Sequence, residues 1–317
     1  MDIVACTDNH FIMPTGVMMH SICVNNAEEP ITFHIVIDEK VTNSQKEALQ
    51  TTIQCFHNKA IAFYCIDGGK YVKLPTRDSH PTITQATYYR LNLAEILPED
   101  IDKVLYLDGD VICRKSLVSL WNTDISQCAV AGGPDAIETA VEKENHLHLQ
   151  HWNGYFNAGV LLINLRWWRE HNSTEAFFSF ISEHGDWIKY QDQDVLNYVF
   201  NDHKILLPIK YNLVSGFLYS DVDPGKHLKE LEEAIQDPVI LHFTVGKPWT
   251  ISSRHPYNRT FLKYYSQTIW KDQPFQEDRP MKLRVIKFFS GILRKLHIIK
   301  ELPPYGKGYL PGLPVID

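Results

Sequence analysis

The chain has 317 residues, 44% of them apolar and 22% charged, with a formal net charge of −7. That length supports a substantial core in one large α/β domain or two smaller ones, and the acidic balance excludes general nucleic-acid binding through a basic surface. Cys6, Cys23, Cys55, Cys65, Cys113 and Cys128 form no Cys-x-x-Cys pair, which speaks for reduced thiols and against a zinc site or a disulfide framework. No run approaches the ~18 apolar residues of a membrane span. Residues 1–6 lack the basic start of an export signal, so a cytoplasmic protein is expected.

In chain order, strands are expected over 3–7, 31–37 and 60–66, where β-branched and aromatic residues dominate. Helices are expected between them over 16–24 and 44–56, the second opened by Thr42 with Gln45 three positions on, a capping-box pattern. This β-α-β-α-β order predicts parallel strands with right-handed crossovers. A helix over about 85–96, stopped at Leu97-Pro98, leads into a strand over 103–107. The second half is less regular, with strands expected over 129–133, 159–164 and 239–243 and helices over 174–183 and 192–200. One domain over 1–270 is expected, followed by a tail over 271–317. Within the tail, 279–300 holds seven Lys or Arg and no acid, interleaved with apolar residues. Such a segment can lie on an anionic membrane surface or pack its apolar stripe on the domain. Residues 303–317 are rich in Pro and Gly and should be irregular.

Asp108-Gly109-Asp110 closes the strand Lys103-Val104-Leu105-Tyr106-Leu107. In extended chain, residues i and i+2 point to one side. Two carboxylates aimed at one point suit a hard divalent cation, and the carboxyl end of an α/β strand is where a diphosphate would bind. The triplet also reads as a plain turn with a permissive glycine.

Further motifs follow in order: Thr7-Asp8-Asn9, Tyr88-Tyr89-Arg90-Leu91, the segment 155–165 containing Asn157, Gln191-Asp192-Gln193-Asp194, and His242-Phe243 followed by Lys247-Pro248-Trp249. Together with the Asp108/Asp110 pair they resemble glycosyltransferase family 8 over residues 1 to about 270, most closely the bacterial lipopolysaccharide and lipooligosaccharide α-galactosyl- and α-glucosyltransferases. The resemblance implies an α/β nucleotide-diphospho-sugar transferase fold of the GT-A type, a Rossmann-like mixed sheet flanked by helices. It also implies a UDP-galactose or UDP-glucose donor, a saccharide or lipid-linked saccharide acceptor, and transfer with retention.

By the same resemblance, Asp108, Asp110 and His242 hold a metal, Mn²⁺ in preference to Mg²⁺ because an imidazole joins the carboxylates. Asp8 and Phe11 meet the nucleotide, and Lys247 meets the diphosphate. Arg90 contacts the donor, and Asn157 and Asp135 contact sugars. Gly246 directly precedes Lys247, and the stretch from His242 is one residue shorter than in most members. Asp192 holds sugar hydroxyls and Gln193 lies by the anomeric carbon. Same-face substitution is favoured, since an amide oxygen is a poor nucleophile; double displacement through Asp194 is the alternative. The residues read alone leave bland roles open: a turn at Asp8-Asn9, a surface charge at Arg90, a turn side chain at Asn157, helix capping at 191–194 and a structural His242. A metal-dependent nucleotide-sugar hydrolase and a non-catalytic UDP-sugar-binding protein are the competing functions, and the basic tail suggests peripheral contact with the inner face of the cytoplasmic membrane.

Overall fold

A computed structural model describes residues 1–74, 85–278 and 308–316. The first half runs β1 (Asp2–Thr7), α1 (Ile12–Asn25), β2 (Ile31–Asp38), α2 (Asn43–Ile53), β3 (Lys59–Ile66), α3 (Leu93–Ile96), β4 (Lys103–Leu107), β5 (Val111–Cys113) and α4 (Val118–Trp121). The second half runs β6 (Val130–Pro134), α5 (Glu138–Glu144), β7 (Phe156–Asn164), α6 (Leu165–Glu170), α7 (Ser173–His184), α8 (Gln191–Val199), β8 (Lys204–Leu206), β9 (Leu213–Val214), α9 (Leu228–Gln236), β10 (Ile240–His242) and α10 (Asn258–Tyr265).

A seven-stranded sheet has the order β3-β2-β1-β4-β7-β6-β8, and a small second sheet has the order β5-β10-β9. The first four of these strands pair in parallel, as the alternating pattern requires. Strand β7 runs antiparallel to both β4 and β6, which makes the large sheet mixed. Period-2 alternation splits each central strand between two cores. Leu105 and Leu107 of β4, with Val160 and Leu162 of β7, join the core beneath α1 and α2. Val104, Tyr106, Leu161 and Ile163 join the opposite core with Trp168, Phe177 and Phe200. A third core is built on the small sheet with Phe261, Tyr264 and Leu231.

Three local expectations change. Helix α1 starts at Ile12, four residues before the expected position, because every residue from Ile12 to Cys23 is buried and no polar face marks its beginning; Pro14 is tolerated in the first turn, where its missing N–H has no partner to lose. The capping box at Thr42 and Gln45 is present in both directions. The helix expected over 85–96 is instead a 3-10 helix, Gln85–Asn92, followed by the single turn α3. The run Thr87-Tyr88-Tyr89 has weak α-helical preference, and 3-10 geometry stacks residues i and i+3, which here sends Thr87 and Arg90 to the same carboxylate. Strand β7 begins at Phe156, so Asn157 is a strand residue and not a turn side chain.

The chain does not leave the domain at residue 270. Backbone bonds Gln276 N–H to Trp249 O (2.9 Å) and Ile251 N–H to Gln276 O (3.0 Å) lay 276 along the segment after Lys247. Residues 308–316 carry no helix or strand, as their composition predicts, yet Leu313 and Ile316 are buried in the third core, and Tyr309 stacks on Tyr219 at 4.4 Å. The basic segment 279–300 lies outside the described residues. Among the described residues no helix is long and apolar enough to cross a membrane.

Candidate active site

Asp108, Gly109 and Asp110 occupy the turn between β4 and β5, not a continuing strand. Extended-chain alternation is therefore not what aims the two carboxylates. The turn does, together with β10, whose His242 pairs across the small sheet with Val111. Among the described residues, Asp108, Asp110 and His242 form a cluster whose ligand atoms all lie within 4.8 Å of one another. His242 Nε2 is 3.2 Å from Asp110 Oδ1 and 3.9 Å from Asp108 Oδ2. Two hard oxygens from one turn and one imidazole nitrogen from β10, directed at one point, fit a divalent cation of the Mn²⁺ class.

Two glycines make room for this arrangement. A Cβ on Gly109 would stand 2.5 Å from Thr15 Oγ1 in α1, so the glycine is needed for close approach and not for a left-handed backbone. A Cβ on Gly159 in β7 would stand 2.2 Å from His242 Cε1 and 2.7 Å from Asp108 Oδ2.

The carboxylates are held in divided roles. Asp108 Oδ1 accepts from Arg90 Nη2 (2.8 Å) and from the Tyr106 hydroxyl (2.8 Å), which leaves Oδ2 facing His242. Burial would raise the Asp110 pKa, but Lys247 and His242 outweigh it and hold the carboxyl well below the usual range. Lys247 Nζ donates directly to Asp110 Oδ2. Its loop needs glycine at 246, where φ is +69°; the shortened stretch from His242 thus still delivers Lys247 to the acidic pair. Phe11 packs edge-on against Trp249 at 5.6 Å, with the Lys247 ammonium 5.9 Å from both rings.

Arg90 is buried and is no surface charge. Its guanidinium stacks over Tyr106 at 4.3 Å. Its Nε donates to Thr87 O and lies 3.0 Å from Asp192 Oδ2. Burial lowers the Arg90 pKa less than Asp108 and Asp192 raise it, so the group stays charged. Asp192 also accepts from the Thr87 hydroxyl. Burial pushes its carboxyl up to about 6 against the opposing pull of Arg90.

A second polar cluster adjoins the first. Asp135 Oδ2 accepts from Asn157 Nδ2 (2.8 Å) and Gln193 Nε2 (3.1 Å), and Gln193 Oε1 accepts from Asn157 Nδ2 (3.1 Å) and the Ala158 N–H (3.0 Å). Asp135, Asn157 and Gln193 are thereby brought together from β6–α5, β7 and α8. Asp194 is different. It is fully enclosed, Oδ1 accepts from the Tyr155 hydroxyl (2.6 Å), and Oδ2 takes the N–H groups of Lys189 (2.6 Å) and Tyr190 (2.7 Å) and meets His146 Nε2 (3.1 Å). Asp8, at the carboxyl end of β1, accepts from the N–H groups of His10 (2.9 Å) and Phe11 (3.1 Å), a turn that leads into α1.

Sequence reasoning missed Tyr106, Thr87, Gly159, Asn212, Ser215 and His255. Ser215 and His255 fix the backbone of His242: the Ser215 hydroxyl donates to His242 O (2.9 Å), and His255 Nε2 lies 2.9 Å from Ser215 Oγ while its Nδ1 accepts from the Tyr257 N–H (3.1 Å). Burial, helped by the charge of Lys247, pushes the His255 pKa from 6.5 down to about 3. The unfolded chain therefore takes up this proton near 6.5 and the folded one only near 3. The stability contribution is complete above 6.5 and is lost as the pH falls through that window. Between pH 7.5 and 5 the wild type should lose about 2 kcal/mol more stability than His255→Asn, measurable by urea unfolding at the two pH values. Equal losses would refute a neutral, buried His255.

Comparison with known proteins gives the family. The family model described as glycosyl transferase family 8 matches residues 2–252. General stress protein A of Bacillus subtilis is 31% identical over 276 residues, covering 85% of this chain and 94% of its own. A lipopolysaccharide 1,2-glucosyltransferase of Escherichia coli is 29% identical over 276 residues, covering 85% and 79%. Among solved structures, the galactosyltransferase LgtC in complex with donor and acceptor sugar analogs superposes with a TM-score of 0.76 at 25% identity, covering 90% of this chain and 99% of that one. The fold is the GT-A type that the family resemblance implied, and the chain is a glycosyltransferase belonging to glycosyl transferase family 8.

Proposed function

We propose that this glycosyltransferase moves galactose or glucose from a UDP-sugar to a saccharide of a surface glycan such as lipopolysaccharide, with Mn²⁺ at Asp108, Asp110 and His242 and with retention at the anomeric carbon. The observation that carries the reading is the meeting of two polar clusters: the acidic pair with His242 and Lys247 on one side, and Asp135, Asn157 and Gln193 on the other. A cation at the first cluster supplies a Lewis acid for the negative charge that builds on the departing diphosphate. Lys247 adds a second positive charge at that point, and Arg90 keeps Asp108 and Asp192 in place. Asp8 and Phe11 are assigned to the nucleotide end of the donor. Asp192, Asp135 and Asn157 are assigned to sugar hydroxyls, with Asp135 the more acceptor-facing.

The reaction breaks the anomeric C–O bond to UDP and forms one to the acceptor oxygen on the same face, while the leaving phosphate oxygen takes the acceptor proton. The enclosure of Asp194, with both oxygens already accepting, favours this course over double displacement. Gln193 is assigned to stabilise the developing positive charge at the sugar. The basic composition of 279–300 supports an acceptor presented at an anionic membrane surface, which would place the protein peripherally on the inner face of the cytoplasmic membrane.

UDP release from a panel of UDP-sugars tests the whole reading, with Mn²⁺, Mg²⁺ or EDTA, and with acceptor absent, free in solution, or displayed on anionic vesicles. The expected result is Mn²⁺-dependent release from UDP-galactose or UDP-glucose, stimulated by acceptor and more so on vesicles. Release indifferent to every acceptor would point to a hydrolase, and donor binding without release to a non-catalytic binder.

A further inference from the structure

His242 contacts more than the acidic pair. Its second ring nitrogen, Nδ1, lies 3.0 Å from Oδ1 of Asn212, a fully buried residue just before β9. Which of these atoms carries the proton can be worked out from groups that have no choice. The backbone N–H of Gly159 can only donate, and it donates to Asn157 Oδ1 (3.0 Å). The backbone N–H of Ala158 likewise fixes Gln193 Oε1 as an acceptor. The remaining ends of both amides, Asn157 Nδ2 and Gln193 Nε2, then donate to Asp135 Oδ2. With Asn157 Oδ1 established as an acceptor, its other neighbour at 3.0 Å must be the amide nitrogen of Asn212. The Asn212 oxygen is thereby turned toward His242. A carbonyl oxygen only accepts, so Nδ1 must carry hydrogen.

We infer that Asn212 is a positioning residue that fixes the ring of His242 with Nδ1 protonated and Nε2 directed at the acidic pair, through a hydrogen-bond relay running from Gln193 and Asp135 by way of Asn157. This rests on the reading of Asp108, Asp110 and His242 as a metal site. Its physical content is that a ligating imidazole is oriented, and its lone pair assigned, by the acceptor bonded to its other nitrogen. With Nδ1 committed to Asn212, Nε2 is the ring nitrogen that faces Asp110 Oδ1, at 3.2 Å. Gly133 in β6 leaves the room that Asn212 occupies, since a Cβ added at that glycine would stand 3.0 Å from Asn212 Cβ. The relay also makes the sugar-side amides and the metal-side imidazole one hydrogen-bonded unit, so the two halves of the site are oriented together.

The test uses the full-length protein and two readouts. Heteronuclear NMR of the imidazole reports whether Nδ1 of His242 is protonated, with and without diamagnetic Mg²⁺. Titration followed by electron paramagnetic resonance gives the Mn²⁺ affinity of the wild type, Asn212→Leu, Asn212→Asp and His242→Ala. Expected is a protonated Nδ1 in the wild type under both conditions, and Mn²⁺ affinity reduced by about 10–100-fold in Asn212→Leu. Affinity within a few-fold of wild type is expected in Asn212→Asp, which still offers Nδ1 an acceptor. An unprotonated Nδ1 in the wild type, or wild-type Mn²⁺ affinity in a folded Asn212→Leu, overturns the inference. Should Asn212→Leu fail to fold, loss of Nδ1–H in Asn212→Asp overturns it and retention supports it. A protonated Nδ1 that depends on Asn212, in a protein that binds no Mn²⁺, would leave the relay standing and remove the metal reading instead.

Discussion

Gly159→Ala is expected to lower turnover by at least about 100-fold in a protein that still folds. The added methyl would stand 2.2 Å from His242 Cε1 and 2.7 Å from Asp108 Oδ2, distances that non-bonded atoms do not reach. Strand β7 is held by β4 on one side and β6 on the other, so its backbone cannot easily retreat. His242 and Asp108 must give way, and a ligand displaced by about 1 Å is enough for a loss of that order. The stability cost is that of overpacking, about 1–3 kcal/mol. Kinetics at saturating UDP-sugar, thermal melting and Mn²⁺ binding separate the two effects. Gly185→Ala is a suitable control, since a Cβ there meets nothing within 4 Å. Wild-type turnover in Gly159→Ala would mean that His242 and Asp108 do not have to sit where they do.

Asp194→Ala should be the most destabilising single change at the site, at roughly 3–5 kcal/mol. The substitution strips two backbone N–H groups, a tyrosine hydroxyl and the His146 ring of one shared acceptor, and each buried donor left unmet costs about 1–3 kcal/mol. Asn should be intermediate, because it keeps one acceptor oxygen and sets an NH₂ against donors. The melting temperature measures this directly. A residue whose main task is nucleophilic attack behaves oppositely, since its removal costs turnover with little loss of stability. An unchanged melting temperature in Asp194→Ala would therefore revive double displacement.

Several parts of the molecule were legible because their causes are local. Runs of β-branched and aromatic residues marked β1 to β4, and the Thr42 capping box fixed the start of α2 within a single turn. The Asp108/Asp110 pair stood out at a strand end, whereas His242 and Lys247 were singled out through the family resemblance. Arg90 was not recognisable as buried, because its enclosure comes from Tyr106, Asp108 and Asp192 on other elements. The expected helix over 85–96 failed where tertiary bonds of Thr87 and Arg90 to Asp192 outweighed a weak local preference.

What the sequence determined by itself is the class of fold and the inventory of reactive groups, since strand periodicity, caps and turns act over a few residues. The tertiary structure alone decided which of these groups meet. Lys247 and Asp110 are 137 residues apart yet share a hydrogen bond. The converging carboxylates are aimed by a turn that a strand argument had misdescribed, and the space for His242 is a hydrogen atom on a glycine of a different strand. Asn212 sits in a linker with no pattern to mark it; only packing between β6, β7 and β10 gives its amide a direction. Local forces choose conformations residue by residue. The orientation of a buried polar group is chosen by whatever donors and acceptors the rest of the chain brings within 3 Å.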